Sequence, residues 1–192
     1  EKARRANLID GRGRLHPAAV FDALGKAVPE NAVTAVDVGN NTYAFGHYFE
    51  TRAGQDVLMS GYLGSIGFGF PAAMGAWAEA RGSRKVVAVA GDGGFGQYLA
   101  EFTTAVKHRM DITLVLLNNG ELAKITREQI SAIRPVWQTD LVNPDFAAYA
   151  ESCGGLGITV TTRDQLAPAL AAAMGVTGRP ALVEVHSSAL AV

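Results

Sequence analysis

Two rhythms of apolar positions alternate along the chain: short unbroken apolar runs, and longer stretches with an apolar residue every third or fourth place. Residues 85–90 (Lys-Val-Val-Ala-Val-Ala) and 111–117 (Asp-Ile-Thr-Leu-Val-Leu-Leu) are runs of the first kind, rich in β-branched residues. They predict strands buried on both faces of a parallel sheet. Residues 32–36, 156–160 and 181–186 predict three more. The helical rhythm appears in Val20, Phe21, Leu24 and Val28, opened by His16-Pro17 and closed by Pro29. It returns in Phe95, Leu99, Phe102, Thr103 and Val106, which predict one helix over 94–110. Further helices are expected over 72–78, over a short stretch from 120 to 129, from Asp145 through Phe146, Tyr149 and Ala150, and over 164–174.

This alternation predicts an α/β fold, a three-layer doubly wound parallel sheet with helices on both faces. A right-handed crossover makes the strands at 85–90 and 111–117 parallel neighbours, so the residues after them emerge together at the carboxyl edge. Ligands bind at that edge in open α/β sheets.

What emerges there is Gly91-Asp92-Gly93-Gly94 after one strand and Asn118-Asn119 after the other. Asp and Asn offer hard oxygen donors, which suit magnesium or calcium, and magnesium keeps positions for phosphate oxygens. Gly91, Gly93 and Gly94 let the backbone approach a phosphate, whose charge the amides opening the next helix favour. The pattern is that of a metal and diphosphate site. The sequence contains no Gly-x-x-x-x-Gly-Lys-Ser/Thr loop. A flavodoxin-like or nucleotide-binding domain would leave the double Asn unexplained.

Gly91-Asp92-Gly93 followed by Asn118-Asn119, with Asp92 and Asn119 27 positions apart, resembles the motif of the thiamine-diphosphate-dependent enzymes, and within them the pyruvate oxidase and acetolactate synthase type. The resemblance runs from about Leu15 onward and covers the diphosphate-binding domain of that family. It implies the thiamine-diphosphate-binding fold over 15–192, while residues 1–14, polar and basic through Lys2, Arg4, Arg5, Arg12 and Arg14, read by their composition as a linker or docking tail. It implies Asp92 and Asn119 as side-chain ligands of Mg2+, the Glu121 carbonyl as a third ligand, and cofactor contacts from Gly91, Gly93, Gly94 and Leu122.

Two other segments carry the same resemblance. Asp37-Val38-Gly39-Asn40-Asn41 follows a strand and is similar to the family's diphosphate turn, which makes Val38, Gly39, Asn40 and Asn41 phosphate contacts. Read by itself, it is an Asx-rich turn that caps a helix near Thr42. The stretch 61–71 resembles the part that grips the aminopyrimidine: Gly64 through its carbonyl, Ser65 beside it, and Ile66 through its amide and a side chain that wedges the cofactor into a bent shape. Gly67, Gly69 and Pro71 also suit the start of a helix. Glu128 matches a Glu that faces the active site in the pyruvate oxidase branch, although Lys124, Arg127 and Glu128 are also spaced to pair on a helix face. Many relatives carry an aromatic near Leu122 or Lys124, and this chain does not.

The resemblance implies an enzyme, a decarboxylase of small 2-oxo acids that goes on to carboligation, protonation or oxidation, of the lyase or transferase kind. It also implies a partner, because the Glu that starts catalysis in this family belongs to a pyrimidine-binding domain, supplied across an interface by another chain or by a missing N-terminal part. A homo- or hetero-oligomer is therefore expected, and FAD would enter only through a domain not in this chain. The alternative is a non-catalytic cofactor-binding or oligomerisation module.

Composition narrows this little further. At 192 residues, 48% hydrophobic, 18% charged and net −1, the chain is large enough for one full core. Its balance gives no basic bias toward nucleic acid. No run is long enough for a membrane helix, and a cytoplasmic location is expected. The single Cys153 excludes an internal disulfide and reads as packing. His16, His47, His108 and His186 show no metal-ligand spacing, and His47 reads as structural. Pro135 and Trp137 mark residues 131–140 as a lid or packed surface.

Overall fold

The computed structural model describes residues 5–189. Lys2 and Arg4 of the basic tail lie outside the described residues. Six parallel strands form one sheet in the order β2-β1-β3-β4-β6-β5: β1 Val33–Val36, β2 Asp56–Met59, β3 Val86–Gly91, β4 Thr113–Asn118, β5 Leu156–Val160 and β6 Ala181–His186. Helices α1 Pro17–Ala27, α2 Asn40–Tyr48 and α8 Arg163–Met174 pack on one face. On the other face lie α3 Gly69–Ala80, α4 Asp92–Gly96, α5 Glu101–Lys107 and α7 Phe146–Ser152, while α6 Ala123–Ser131 lies over the carboxyl edge.

The two-residue period of a strand sorts the core into two layers. Val87 and Val89 face the layer with Val20, Phe21, Leu24 and Leu170. Val86, Ala88 and Ala90 face Phe70, Phe95, Phe102 and Phe146. In that second layer the Phe70 and Phe95 rings meet edge to face at 5.4 Å, and Phe95 touches Phe146 at 6.0 Å. Phe95 is 1% exposed. It therefore anchors α4, the helix that Asp92 opens.

The predicted single helix over 94–110 is two helices, α4 and α5, joined by a turn over 97–100. Its glycines explain the break: Gly93, Gly94 and Gly96 sit in the first turn and a half, where helix propensity is poorest. The sequence pattern also missed β2. It is a four-residue edge strand with exposed ends, and Asp56 and Met59 give it no continuous apolar run.

Because the chain leaves β1 into α2 on one face and leaves β3 into α4 on the other, the loops diverge between β1 and β3. A crevice opens there at the carboxyl edge, as expected at a point where the winding reverses. Among the described residues, no helix is long and apolar enough to cross a membrane.

Candidate cofactor site

The crevice is a pocket of about 350 Å3. Val38, Gly39, Asn40 and Asn41 line it from the β1 turn, Gly64 and Ile66 from the loop before α3, and Gly91, Asp92, Gly93 and Gly94 from the β3 turn. Asn119, Glu121 and Leu122 line it from the segment after β4. Two residues singled out in the sequence are not brought to it. Ser65 is exposed, its amide bound to Ser60 Oγ at 3.2 Å. Glu128 lies on the exposed side of α6 and pairs with Lys124, one turn away.

Asp37 holds the first three segments together. Its Oδ1 accepts the Val38 amide at 2.7 Å and the Gly67 amide at 2.8 Å, so the carboxylate joins the β1 turn to the loop that carries Gly64 and Ile66. Oδ2 is buried without a hydrogen-bond partner and lies against Gly94, where an added Cβ would sit 2.0 Å from it. The Asp37 carbonyl accepts Asn41 Nδ2 at 2.8 Å and Thr42 Oγ1 at 2.5 Å, which closes the first turn of α2. The Asx-turn reading of this segment and its place in the pocket thus hold together.

Burial pushes the Asp37 pKa above its ordinary 3.8, against the pull of the Val38 and Gly67 amides. A raised value in the fold means that folding binds the proton. Asp37 therefore favours the folded state fully below pH 3.8, and that contribution is lost as pH rises through the higher folded value. Urea-unfolding midpoints of the protein and of Asp37→Asn, compared at several pH values, are expected to show the protein losing ground to the variant as pH rises through this window. A constant difference would contradict the assignment.

Asp92 is 3% exposed at the first position of α4. Its Oδ2 accepts the Gly120 amide at 2.8 Å and Asn143 Nδ2 at 2.7 Å, and neither bond uses Oδ1. Burial raises its pKa, with Asn143 and Gly120 pulling the other way. No cationic side chain is among the groups that hold it. Asn119 Oδ1 accepts the Glu121 amide at 3.0 Å, which turns the chain so that Glu121 faces the pocket. Bonds from Leu122 to the Thr139 carbonyl and from Leu141 to the Gly120 carbonyl pass on either side of Glu121 and leave its carbonyl outside the ladder. A buried carboxylate without a cation, an amide oxygen and a backbone carbonyl make a hard-oxygen donor set. It fits a small divalent ion that completes its shell with phosphate oxygens and water. Among the described residues, no group of three His, Cys, Asp or Glu side chains offers a different metal site.

Several neighbours were not foreseen from the sequence. Gln97, Lys124, Ile125, Ser187 and Ser188 line the same pocket. Arg127 of α6 hydrogen-bonds the side chain of the pocket residue Asn40. Arg14 donates to the Asn119 carbonyl at 2.6 Å while its Nε binds Asp10 at 2.7 Å, so part of the basic tail is docked beside the site. Trp137, in the expected lid or surface segment, is 71% exposed, and its backbone is tied back to the Gln129 side chain of α6.

A family profile described as "Thiamine pyrophosphate enzyme, C-terminal TPP binding domain" matches residues 37–185. The chain belongs to this family. Thiamine pyrophosphate (TPP) is thiamine diphosphate, and the six-stranded parallel sheet is consistent with a TPP-binding domain. The matched span begins at Asp37 and takes in the β1 turn, the loop before α3, the β3 turn and the segment after β4.

Relatives of this TPP-binding domain include a Bacillus subtilis (strain 168) protein described as "Putative thiamine pyrophosphate-containing protein YdaP", 40% identical over 171 residues, covering 89% of this chain and 29% of the relative. An acetolactate synthase of the same organism is 30% identical over 172 residues, covering 90% and 30%. The catabolic acetolactate synthase of Raoultella terrigena is 32% identical over 192 residues, covering 96% and 34%. The chain therefore spans about a third of the length of these relatives.

Proposed function

We propose that this chain is the diphosphate- and magnesium-binding half of a thiamine-diphosphate-dependent enzyme acting on small 2-oxo acids. The observation that carries the reading is the convergence, at one pocket, of the β1 turn, the Gly64 to Ile66 loop and the Asp92 and Asn119 pair, around a buried carboxylate that lacks a cation. Asp92, Asn119 and the Glu121 carbonyl hold Mg2+, and the turn from Val38 to Asn41, with the amides opening α4, holds the diphosphate. Gly64 and Ile66 grip the aminopyrimidine. When bound, the cofactor supplies an electron sink for loss of carbon dioxide from the 2-oxo acid.

This chain's own residues bind, orient and exclude water. The side chain of Ile66 is 38% exposed at the pocket, where it is free to press between the two cofactor rings and fix their bend. Asn40, held by Arg127, and Asn41, held by the Asp37 carbonyl, keep the diphosphate turn in one conformation. Glu128 takes its role only where a partner surface brings substrate to the outer side of α6.

A partner domain is part of the proposal. Tyr62 and Leu63 are 100% and 80% exposed, and Ile133 and Trp137 are 96% and 71% exposed. These side chains lie on the loops that follow β2 and α6, the first of which also carries the pocket residues Gly64 and Ile66. Apolar exposure of this extent supports a surface that another domain covers. That domain is the pyrimidine-binding one, from another chain or another part of the same polypeptide, and it supplies the acid that begins catalysis.

The reading is tested by Ile66→Ala in the assembled enzyme with pyruvate as the probe substrate. Turnover is expected to fall about 100-fold, the scale of a misplaced reacting group, with much less change in cofactor affinity because the diphosphate and metal contacts remain. Unchanged turnover would contradict the role given to Ile66.

A further inference from the structure

The double Asn of the motif raises a question that the metal site leaves open, since only Asn119 is needed as a ligand. Asn118, the last residue of β4, is the middle link of a polar chain that runs from Asp92 into the core. Asn143 Nδ2 donates both to Asp92 Oδ2 at 2.7 Å and to Asn118 Oδ1 at 3.0 Å. Asn118 Nδ2 donates to Glu184 Oε1 at 2.7 Å. Glu184, in the middle of β6, is 3% exposed, and its Oε2 accepts the Ala147 amide at the start of α7 at 3.1 Å. His186 Nε2 lies 3.7 Å from Glu184 Oε1 at the outer end.

The chemistry of these groups fixes the direction of the chain. Both Glu184 oxygens accept, one from Asn118 Nδ2 and the other from the Ala147 amide, so Asn118 turns its amide nitrogen to Glu184 and its oxygen to Asn143. Asn143 is then obliged to turn its nitrogen toward Asp92. With Gly120 on the same oxygen, Oδ2 of Asp92 is held from two sides and Oδ1 is the oxygen left for the pocket. The terminal torsion of an Asp is broad when unrestrained. Partners behind a metal ligand commonly set its orientation and affinity.

We infer that Asn143 is a positioning residue for the metal site, fixing the Asp92 carboxylate through a chain anchored by Asn118 and the buried Glu184. Asn143 does not line the pocket, so it acts through Asp92 and touches neither metal nor cofactor. The inference rests on the cofactor reading above. It also separates the two members of the doublet, because Asn119 faces the ion while Asn118 holds the orientation of what faces it.

The test uses the assembled complex of this chain with its pyrimidine-binding domain and thiamine diphosphate, with Mn2+ in place of Mg2+ so that electron paramagnetic resonance reports both affinity and ligand geometry. Asn143→Leu keeps the size and removes the donors; Asn143→Ser is smaller and keeps one donor. Asn143→Leu is expected to weaken Mn2+ binding about 10- to 100-fold and to alter the bound-ion signal, with Asn143→Ser between it and the unmodified protein. Should Asn143→Leu fail to fold, Asn143→Ser against the unmodified protein decides, with weaker binding and an altered signal expected. Unchanged affinity and signal in either variant, or Mn2+ binding by Asn143→Leu as tight as by Asn143→Ser, would overturn the positioning role and leave the cofactor reading intact. Absence of Mn2+ binding by the unmodified complex would overturn both.

Discussion

Replacing Asp92 with alanine is expected to abolish magnesium-dependent binding of thiamine diphosphate while leaving the protein folded. The two effects separate because burial makes the Asp92 charge costly in the metal-free fold, where the groups that hold it are neutral donors, chiefly Asn143 and the Gly120 amide. Deleting it removes that cost together with the two hydrogen bonds, so the metal-free unfolding midpoint should move little. With the ion present the balance reverses. Asp92 is the only carboxylate side chain assigned to it, and its loss should lower cofactor affinity in Mg2+ by more than about 100-fold, beyond the range typical of residues one shell further out. Calorimetry with and without Mg2+, beside urea unfolding of the metal-free protein, checks both halves. Intact Mg2+-dependent binding by Asp92→Ala would contradict the assigned ligand set.

Gly94→Ala is expected to damage both fold and site. The new methyl group would stand 2.0 Å from Asp37 Oδ2 and 3.0 Å from its Cγ. The carboxylate cannot swing away cheaply, because Oδ1 is held by the Val38 and Gly67 amides and the Asp37 backbone amide is bound to the Val89 carbonyl at 2.8 Å. Overpacking of this kind costs about 1 to 3 kcal/mol and sometimes more. Whatever relieves it must displace Asp37, and with it the loop that carries Gly64 and Ile66. Weaker cofactor binding should therefore accompany the lower unfolding midpoint. Gly96→Ala is the matched control in the same helix, since an added Cβ there meets nothing within 4 Å. It should change stability by less than about 1 kcal/mol and leave binding intact.

The parts of this architecture that could be read from the sequence are those in which neighbours in space are also neighbours in pattern. The strands from 85 and 111 declare themselves through unbroken apolar runs, and one crossover then places Asp92 and Asn119 at the same edge. The β1 turn and the Gly64 to Ile66 loop were visible through their resemblance to a known family, and the pocket does gather them. Asn143 and Glu184 were not legible, because their partners lie 51 and 66 positions away and no periodicity relates them. Glu184 left one usable signal: a lone carboxylate inside an apolar run that predicts a buried parallel strand must find donors in the core. The role of Asp37 was hidden for a different reason. As the first residue of a turn it reads as a cap, and only the fold shows that its carboxylate reaches the Gly67 amide 30 positions on. Glu128 illustrates the converse, since a residue matched by motif lies outside the pocket, paired along its own helix with Lys124.

The polar tail shows the same limit. Its charges predicted a linker or docking segment, but nothing in the pattern placed Arg14 on the Asn119 carbonyl. That contact joins the segment before α1 to the residue assigned to the metal.

The central claim is that the carboxyl-edge crevice holds thiamine diphosphate through Mg2+ on Asp92 and Asn119. Isothermal titration of thiamine diphosphate into the complex of this chain with the proposed pyrimidine-binding domain, once in Mg2+ and once in excess chelator, tests it most directly. The account predicts saturable binding in Mg2+ that disappears in chelator. Equal binding under both conditions, or none in Mg2+, would contradict it.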